Sequence, residues 1–222
     1  MTGCKWRIFA GVYQTFGEKQ SFLLSAGFDI RKYVKMNRYT YFALRGAAGT
    51  SAGSGKLLFF IGGSDNQVIS EQEQPIYNST NENYICQTFV GGVRGLKTNI
   101  MQGTSYALCS GELRIPVVRA LTRMPLRSGF LYHLQAIAFA DAGAAWTGGS
   151  PFSDENSMYA RYDFNGSDVV KLNEYHDPIL GAIGIGFRSL ILGCFIRADY
   201  ASAIIDGTFN KPGLVVSLGF DF

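Results

Sequence analysis

The chain has 222 residues, 47% of them hydrophobic and 17% charged, with a formal net charge of +3. That balance excludes a disordered chain, which is charged and poor in aromatics, and a heptad coiled coil, which is rich in Ala, Glu, Lys, Leu and Arg. A charge this small, with no dense Lys/Arg run, argues against a nucleic-acid module, whereas 27 glycines and 14% aromatics fit an all-β protein.

Period-two alternation dominates the chain and predicts strands. At the start, Trp6, Ile8, Ala10 and Val12 oppose Arg7, Phe9, Gly11 and Tyr13. Next, Phe22, Leu24, Ala26, Phe28, Ile30, Val34 and Met36 oppose Ser25, Gly27, Asp29, Arg31 and Lys35. From Tyr39 to Ala48, Thr40, Phe42, Leu44 and Ala48 oppose Tyr41, Ala43 and Arg45. After a long interruption, Ala107, Cys109, Leu113 and Ile115 oppose Tyr106, Ser110, Glu112 and Arg114. Leu134, Ala136, Ala138 and Ala140 oppose His133, Gln135, Phe139 and Asp141. Ile179, Ile183, Ile185 and Phe187 oppose Gly184, Gly186 and Arg188, and Cys194, Ile196, Ala198 and Tyr200 oppose Arg197 and Asp199. Last, Leu214, Val216, Leu218, Phe220 and Phe222 oppose Ser217, Gly219 and Asp221.

These are eight strands of about 10–15 residues, where a soluble strand has about 5–6 and a tilted bilayer-spanning strand about 9–11. Alternation alone does not separate a membrane barrel from a soluble sandwich; strand length favours the membrane. The expected fold is all-β: an antiparallel transmembrane β-barrel, with aliphatic residues toward lipid and Arg, Asp, Glu and Gly toward a wet lumen. No run of 18 or more apolar residues occurs, so a membrane-spanning form has to be a closed barrel. The residues after Met1 lack the apolar stretch of a secretory signal, which predicts that further polypeptide precedes them. Strands are expected over residues 1–49 and 104–222 of one domain, with a long loop over about 50–103 folding inward. A loop that long in a compact fold is usually functional.

The chemical motifs are few. Cys4, Cys86, Cys109 and Cys194 are too far apart for a CxxC pair, so neither a zinc site nor a disulfide framework is expected. Gly53-Ser54-Gly55-Lys56 lacks the leading glycine and the trailing Ser or Thr of a phosphate loop, and Gly181–Gly186 lies inside an alternating strand. His133 and His176 are the whole imidazole inventory, and nothing in the sequence sets a nucleophilic serine beside either. An outer-membrane hydrolase is therefore the weakest reading, and no enzymatic activity, cofactor or metal is expected. Glu112 and Asp141 are different: alternation turns both inward on adjacent strands. Two neighbouring carboxylates repel unless a cation sits between them. Arg94, beside the flexible Gly95, supplies a planar guanidinium suited to that place if its loop folds inward, and is otherwise an ordinary solvated loop residue.

The segment Val93-Arg94-Gly95-Leu96 resembles the V-R-G-[FY] loop motif of the bacterial surface-antigen family, which includes the BamA, TamA and two-partner-secretion types. Phe139, Asp141 and Gly143 match its F-x-D-x-G strand motif, and Gly111–Pro116 and the terminal Phe220 and Phe222 resemble its later strands and C-terminal assembly signal. Segments 59–66, 140–148 and 192–199 are also similar to Bacteroidetes outer-membrane proteins that carry a propeller-like module before the barrel. The resemblance implies a sixteen-strand barrel of which these eight strands are the second half. It also implies an inward loop whose Arg94 contacts Glu112 and Asp141 on the wall. Leu96 stands where the family has an aromatic, and Ser217 where the terminal signal often has glycine.

The expected function is translocation, insertion or secretion at the bacterial outer membrane. The partners expected are outer-membrane lipid and other outer-membrane or periplasmic proteins, and not nucleic acid. A second reading is a passive anchor or scaffold for a periplasmic module in a larger outer-membrane complex.

Overall fold

Alternating residues that are β-branched, aromatic or small fit a pleated surface with two unlike faces, and one wide antiparallel sheet results. The computed structural model describes residues 2–16, 20–64, 66–68, 84–122, 128–153, 158–165, 168–175, 177–191 and 193–219, with the backbone alone at 84–86, 158–165 and 168–175. The long strands are β1 (Gly3–Gln14), β2 (Phe22–Lys35), β3 (Tyr41–Gly53), β7 (Ser105–Pro116), β8 (Gln135–Trp146), β11 (Leu180–Ile191), β12 (Cys194–Ile205) and β14 (Gly213–Gly219). Together with the two-residue β13 (Thr208–Phe209) they form a nine-stranded sheet in the order β1-β2-β3-β7-β8-β11-β12, with β13 and β14 both pairing β12. All eight expected strands are present, and every neighbouring pair is antiparallel. Among the described residues no helix is long and apolar enough to cross a membrane.

The interruption between β3 and β7 differs from a plain loop. It folds as a small sheet of β4 (Lys56–Ile61), β5 (Tyr84–Gly91) and β6 (Met101–Gly103), with β4 central, parallel to β5 and antiparallel to β6. The reason is local. Leu57–Ile61 is an apolar run whose backbone needs partners once buried, and β5 and β6 supply them. Ser51 ties both ends of the insert to β3, its Oγ donating to the Leu57 carbonyl at 2.7 Å and its backbone N–H to the Thr104 carbonyl at 2.8 Å. Four further elements were not expected from the sequence. The 117–134 connection carries the short helices α1 (Val117–Leu121) and α2 (Gly129–His133), and the 148–178 connection carries the hairpin β9 (Met158–Asn165) and β10 (Asp168–Tyr175).

The insert packs against one face of the large sheet. Leu57, Phe59, Ile61, Val93, Leu96 and Met101 share a buried cluster with side chains of β2, β3, β7, β8, β11 and β12. Phe59 meets Tyr106 edge to face, ring centroids 4.9 Å apart. The other face is exposed and apolar: Trp6, Ile8, Phe28, Ile185, Phe187 and Leu214 all lie open on it. The polar face is the hidden one, and it buries Asp29, Glu112, Arg114, Asp141, Arg188 and Asp199.

Candidate functional site

The Arg94 site begins with a turn. Past β5 the chain passes Gly91, Gly92 and Val93, and the Leu96 N–H returns to the Val93 carbonyl at 3.4 Å. Gly95 takes φ +82°, a left-handed value that costs other residues free energy. A Cβ there would also stand 2.8 Å from the Ala201 Cβ on β12. Conformation and space both require glycine. Val93, Arg94 and Leu96 are buried, so Leu96, where an aromatic was expected from the resemblance, still packs into the core.

Arg94 is 5% exposed. Its Nε and Nη2 engage both oxygens of Asp141, at 2.6 and 2.7 Å, and its backbone N–H points to the same carboxylate at 3.3 Å. Nη1 donates to Glu112 Oε1 at 2.6 Å, and Nη2 to Ser110 Oγ at 3.3 Å. The guanidinium carbon lies 3.6 Å from the ring centroid of Phe139. Ser110, opposite Asp141 in the β7–β8 register, donates its hydroxyl to Asp141 Oδ1 at 2.5 Å. Arg114 holds the other oxygen of Glu112 through Nε at 2.8 Å.

The F-x-D-x-G residues are used in succession, because positions two apart on a strand share a face. Phe139 lies under the guanidinium, and Asp141 binds it. A Cβ on Gly143 would meet Leu108 Cδ2 at 2.7 Å and Val93 Cγ2 at 2.9 Å, so Gly143 leaves the seat for Val93. Glu112 faces Phe139 in register and sits diagonally from Asp141. The two carboxylates are joined through Arg94.

A third acid was missed. Asp199 on β12 is fully buried, with Oδ2 4.0 Å from Arg94 Nη1, and among the described residues neither of its oxygens accepts a hydrogen bond. Gly186 on β11 makes its room, since a Cβ there would collide with Asp199 Oδ1. Alternation had already turned Asp199 inward, but β12 stands three strand spacings from β7, about 14 Å across a flat sheet. One guanidinium nevertheless reaches both, so the two carboxylates converge over this face.

Burial opposes the charge on Arg94, but the hydrogen bond to Asp141 and the charges of Asp141, Glu112 and Asp199 outweigh it. The guanidinium is held above its already high pKa and stays charged. The group is therefore a permanent cation clamped by fixed acceptors, with no proton to exchange near neutral pH.

A second cluster lies nearer the β1 edge. Asp29 accepts from Arg31 Nε and Nη2 at 2.9 and 2.8 Å and from Arg45 Nη2 at 3.1 Å. Beside it, between β1–β3 and the insert, runs a cleft of about 330 Å³, lined among others by Arg7, Phe9, Tyr13, Asp29 and Phe59.

The insert also reaches the far edge. The Val68 N–H donates to the Val216 carbonyl at 2.9 Å, and the Leu218 N–H to the Asn66 carbonyl at 3.1 Å, so three residues of the insert cover part of the outer edge of β14. Ser217, fully buried there, accepts from Arg197 Nε at 3.3 Å. Phe220 and Phe222 lie outside the described residues. Among the described residues no group of three or more His, Cys, Asp and Glu is placed to hold a metal, and Cys4, Cys109 and Cys194 are free thiols.

No protein-family model matches this chain, and no curated protein matches it.

Proposed function

We propose that the protein is an outer-membrane β-barrel of the surface-antigen type, acting in translocation, insertion or secretion at the outer membrane, with the Arg94 insert pinned inside the lumen. The observation that carries this reading is the inversion of the sheet. Ile8 is 72% exposed and Leu214 69%, while Glu112 is 1% and Asp199 0% exposed. A water-soluble sheet of this width would hide the first pair and show the second. Strands of 12–14 residues, such as β1 and β2, also exceed the roughly 9–11 residues that a tilted strand needs to cross a bilayer.

Within that reading the Arg94 clamp is a latch. It holds the insert against β7 and β8, and a substrate path along the polar face requires the insert to shift. Reconstitution into vesicles with brominated acyl chains tests the membrane part. Trp6, exposed on the apolar face, is expected to be quenched in a Trp146→Phe background. Unquenched Trp6 emission would sink it.

The anchor or scaffold reading has an observation of its own. The insert is not loosely threaded but shares one core cluster with six strands, which suits a fixed plug. Planar-bilayer conductance separates the two: translocation predicts larger or more frequent openings in Arg94→Ala, and a silent bilayer in both proteins favours the scaffold.

A further inference from the structure

Basic residues are not spread evenly over the sheet. Among the described residues, segments 30–42, 114–122, 128–135 and 187–198 hold eight Arg or Lys and no Asp or Glu. The register gathers these segments at one end: Lys35 faces Tyr41, Tyr41 faces Arg114, Pro116 faces Gln135, and Gln135 faces Arg188. This is also the end of the short turn at 36–40. At the opposite end the connection between β8 and β11 carries Asp163, Asp168, Glu174 and Asp177.

At the basic end Lys32, Lys35, Arg38 and Arg119 are exposed. The acids of the neighbouring strands turn the other way: Asp29 is held by Arg31 and Arg45, and Glu112 by Arg94 and Arg114. Three of these exposed cations sit among apolar groups. Lys32 lies on the outward face of β2 between Ile30 and Val34, both exposed. The Arg119 guanidinium stacks 4.7 Å from the Tyr132 ring centroid, beside exposed Leu121, Phe130 and Leu131. Arg38 lies 5.4 Å from the Tyr39 ring centroid.

We propose that this end of the sheet is a binding rim for anionic phospholipid headgroups, with Lys32, Lys35, Arg38 and Arg119 on the phosphates and the apolar side chains between them in the acyl region. The inference rests on the membrane reading and adds the lipid class and the end of the sheet that meets it. Charge complementarity supplies the headgroup. A lipid is favoured over an acidic protein because the cations ring an apolar face rather than a polar one. Long basic side chains at such a boundary reach to the headgroups while their stems stay in the apolar layer. Each adds attraction for an anionic surface that salt screens.

The test reconstitutes the protein, in the form the cell makes, into phosphatidylcholine vesicles containing spin-labelled phosphatidylglycerol or spin-labelled phosphatidylcholine, and measures the fraction of each lipid restrained by the protein. Wild type is expected to prefer phosphatidylglycerol by about fivefold, with the preference falling in about 0.5 M salt. K32Q/K35Q/R38Q/R119Q is expected to lose it, and R38K/R119K to keep it. All four positions are exposed, so the variants retain the core, and circular dichroism verifies that. A wild-type preference that the quadruple variant retains, or none in wild type, overturns the proposal while leaving the membrane reading intact. Failure to enter either vesicle overturns both. Retention of polyglutamate by wild type but not by the variant, without lipid preference, reassigns the rim to an acidic protein and overturns it as well.

Discussion

Arg94 meets Asp141 through three donors: Nε at 2.6 Å, Nη2 at 2.7 Å and the backbone N–H at 3.3 Å, all on one buried carboxylate. Side chain and main chain of the insert are thus fastened to the same residue of β8. The contact fixes where the turn sits as well as how it is charged, which a simple ion pair would not do.

Removing Arg94 leaves Glu112 and Asp141 buried with less compensation. Breaking a buried pair from one side costs ~3–5 kcal/mol, so Arg94→Ala is expected to unfold at clearly lower denaturant. Arg94→Lys, which has no planar fork, is expected to fall between wild type and alanine. Protease sensitivity confined to the insert, with the sheet intact, would show that the latch holds the insert and not the whole fold.

The two aspartates near Arg94 are expected to differ. Asp141 accepts from Arg94 and Ser110, whereas Asp199 accepts no hydrogen bond among the described residues. Asp141→Asn is expected to cost several times more than Asp199→Asn, and Ser110→Ala about 1 kcal/mol. Double-mutant cycles with Arg94→Ala measure this directly. Equal coupling to both aspartates would contradict the assignment.

Gly95→Ala is expected to destabilise by about 1–3 kcal/mol, from the left-handed backbone and the contact with Ala201 together. Gly95→Ala with Ala201→Gly relieves the contact and leaves the backbone term. Recovery in the double variant should therefore be partial. Thermal unfolding of the three proteins separates the contributions.

Val68→Pro deletes the donor to the Val216 carbonyl. The strap over β14 is expected to loosen, and the Leu218 amide, bonded to the Asn66 carbonyl, to exchange faster with deuterium. Unchanged protection at Leu218 would mean that the strap contributes nothing to that edge.

Much of this arrangement was legible in advance because a strand has only two faces. Once alternation sorted Phe139 with Asp141 and Glu112 with Arg114, their common face followed, and the resemblance of Val93–Leu96 to an inward loop motif pointed Arg94 at it. Asp199 was sorted correctly but not joined to Arg94, because sequence separation says nothing about how sharply a sheet curves. The parallel pairing of β4 with β5 was hidden for a similar reason: 84–91 has no alternation that names Lys56–Ile61 as its partner. The α1–α2 segment was missed because helices of five residues are too short to establish a 3.6-residue period.

By itself the sequence determined the eight long strands and the two faces of each, while the pairing of Arg94 with Glu112 and Asp141 came from the family resemblance. The strands and their faces follow from properties repeated within each strand, where side-chain direction is set by local backbone geometry. Tertiary structure alone decided the diagonal register of Glu112 and Asp141, the approach of Asp199, the notches at Gly143 and Gly186, and the strap of 66–68 on β14. Each depends on the relative position of segments far apart in the chain, which is set by how the sheet and the insert pack together, and that packing belongs to no one segment.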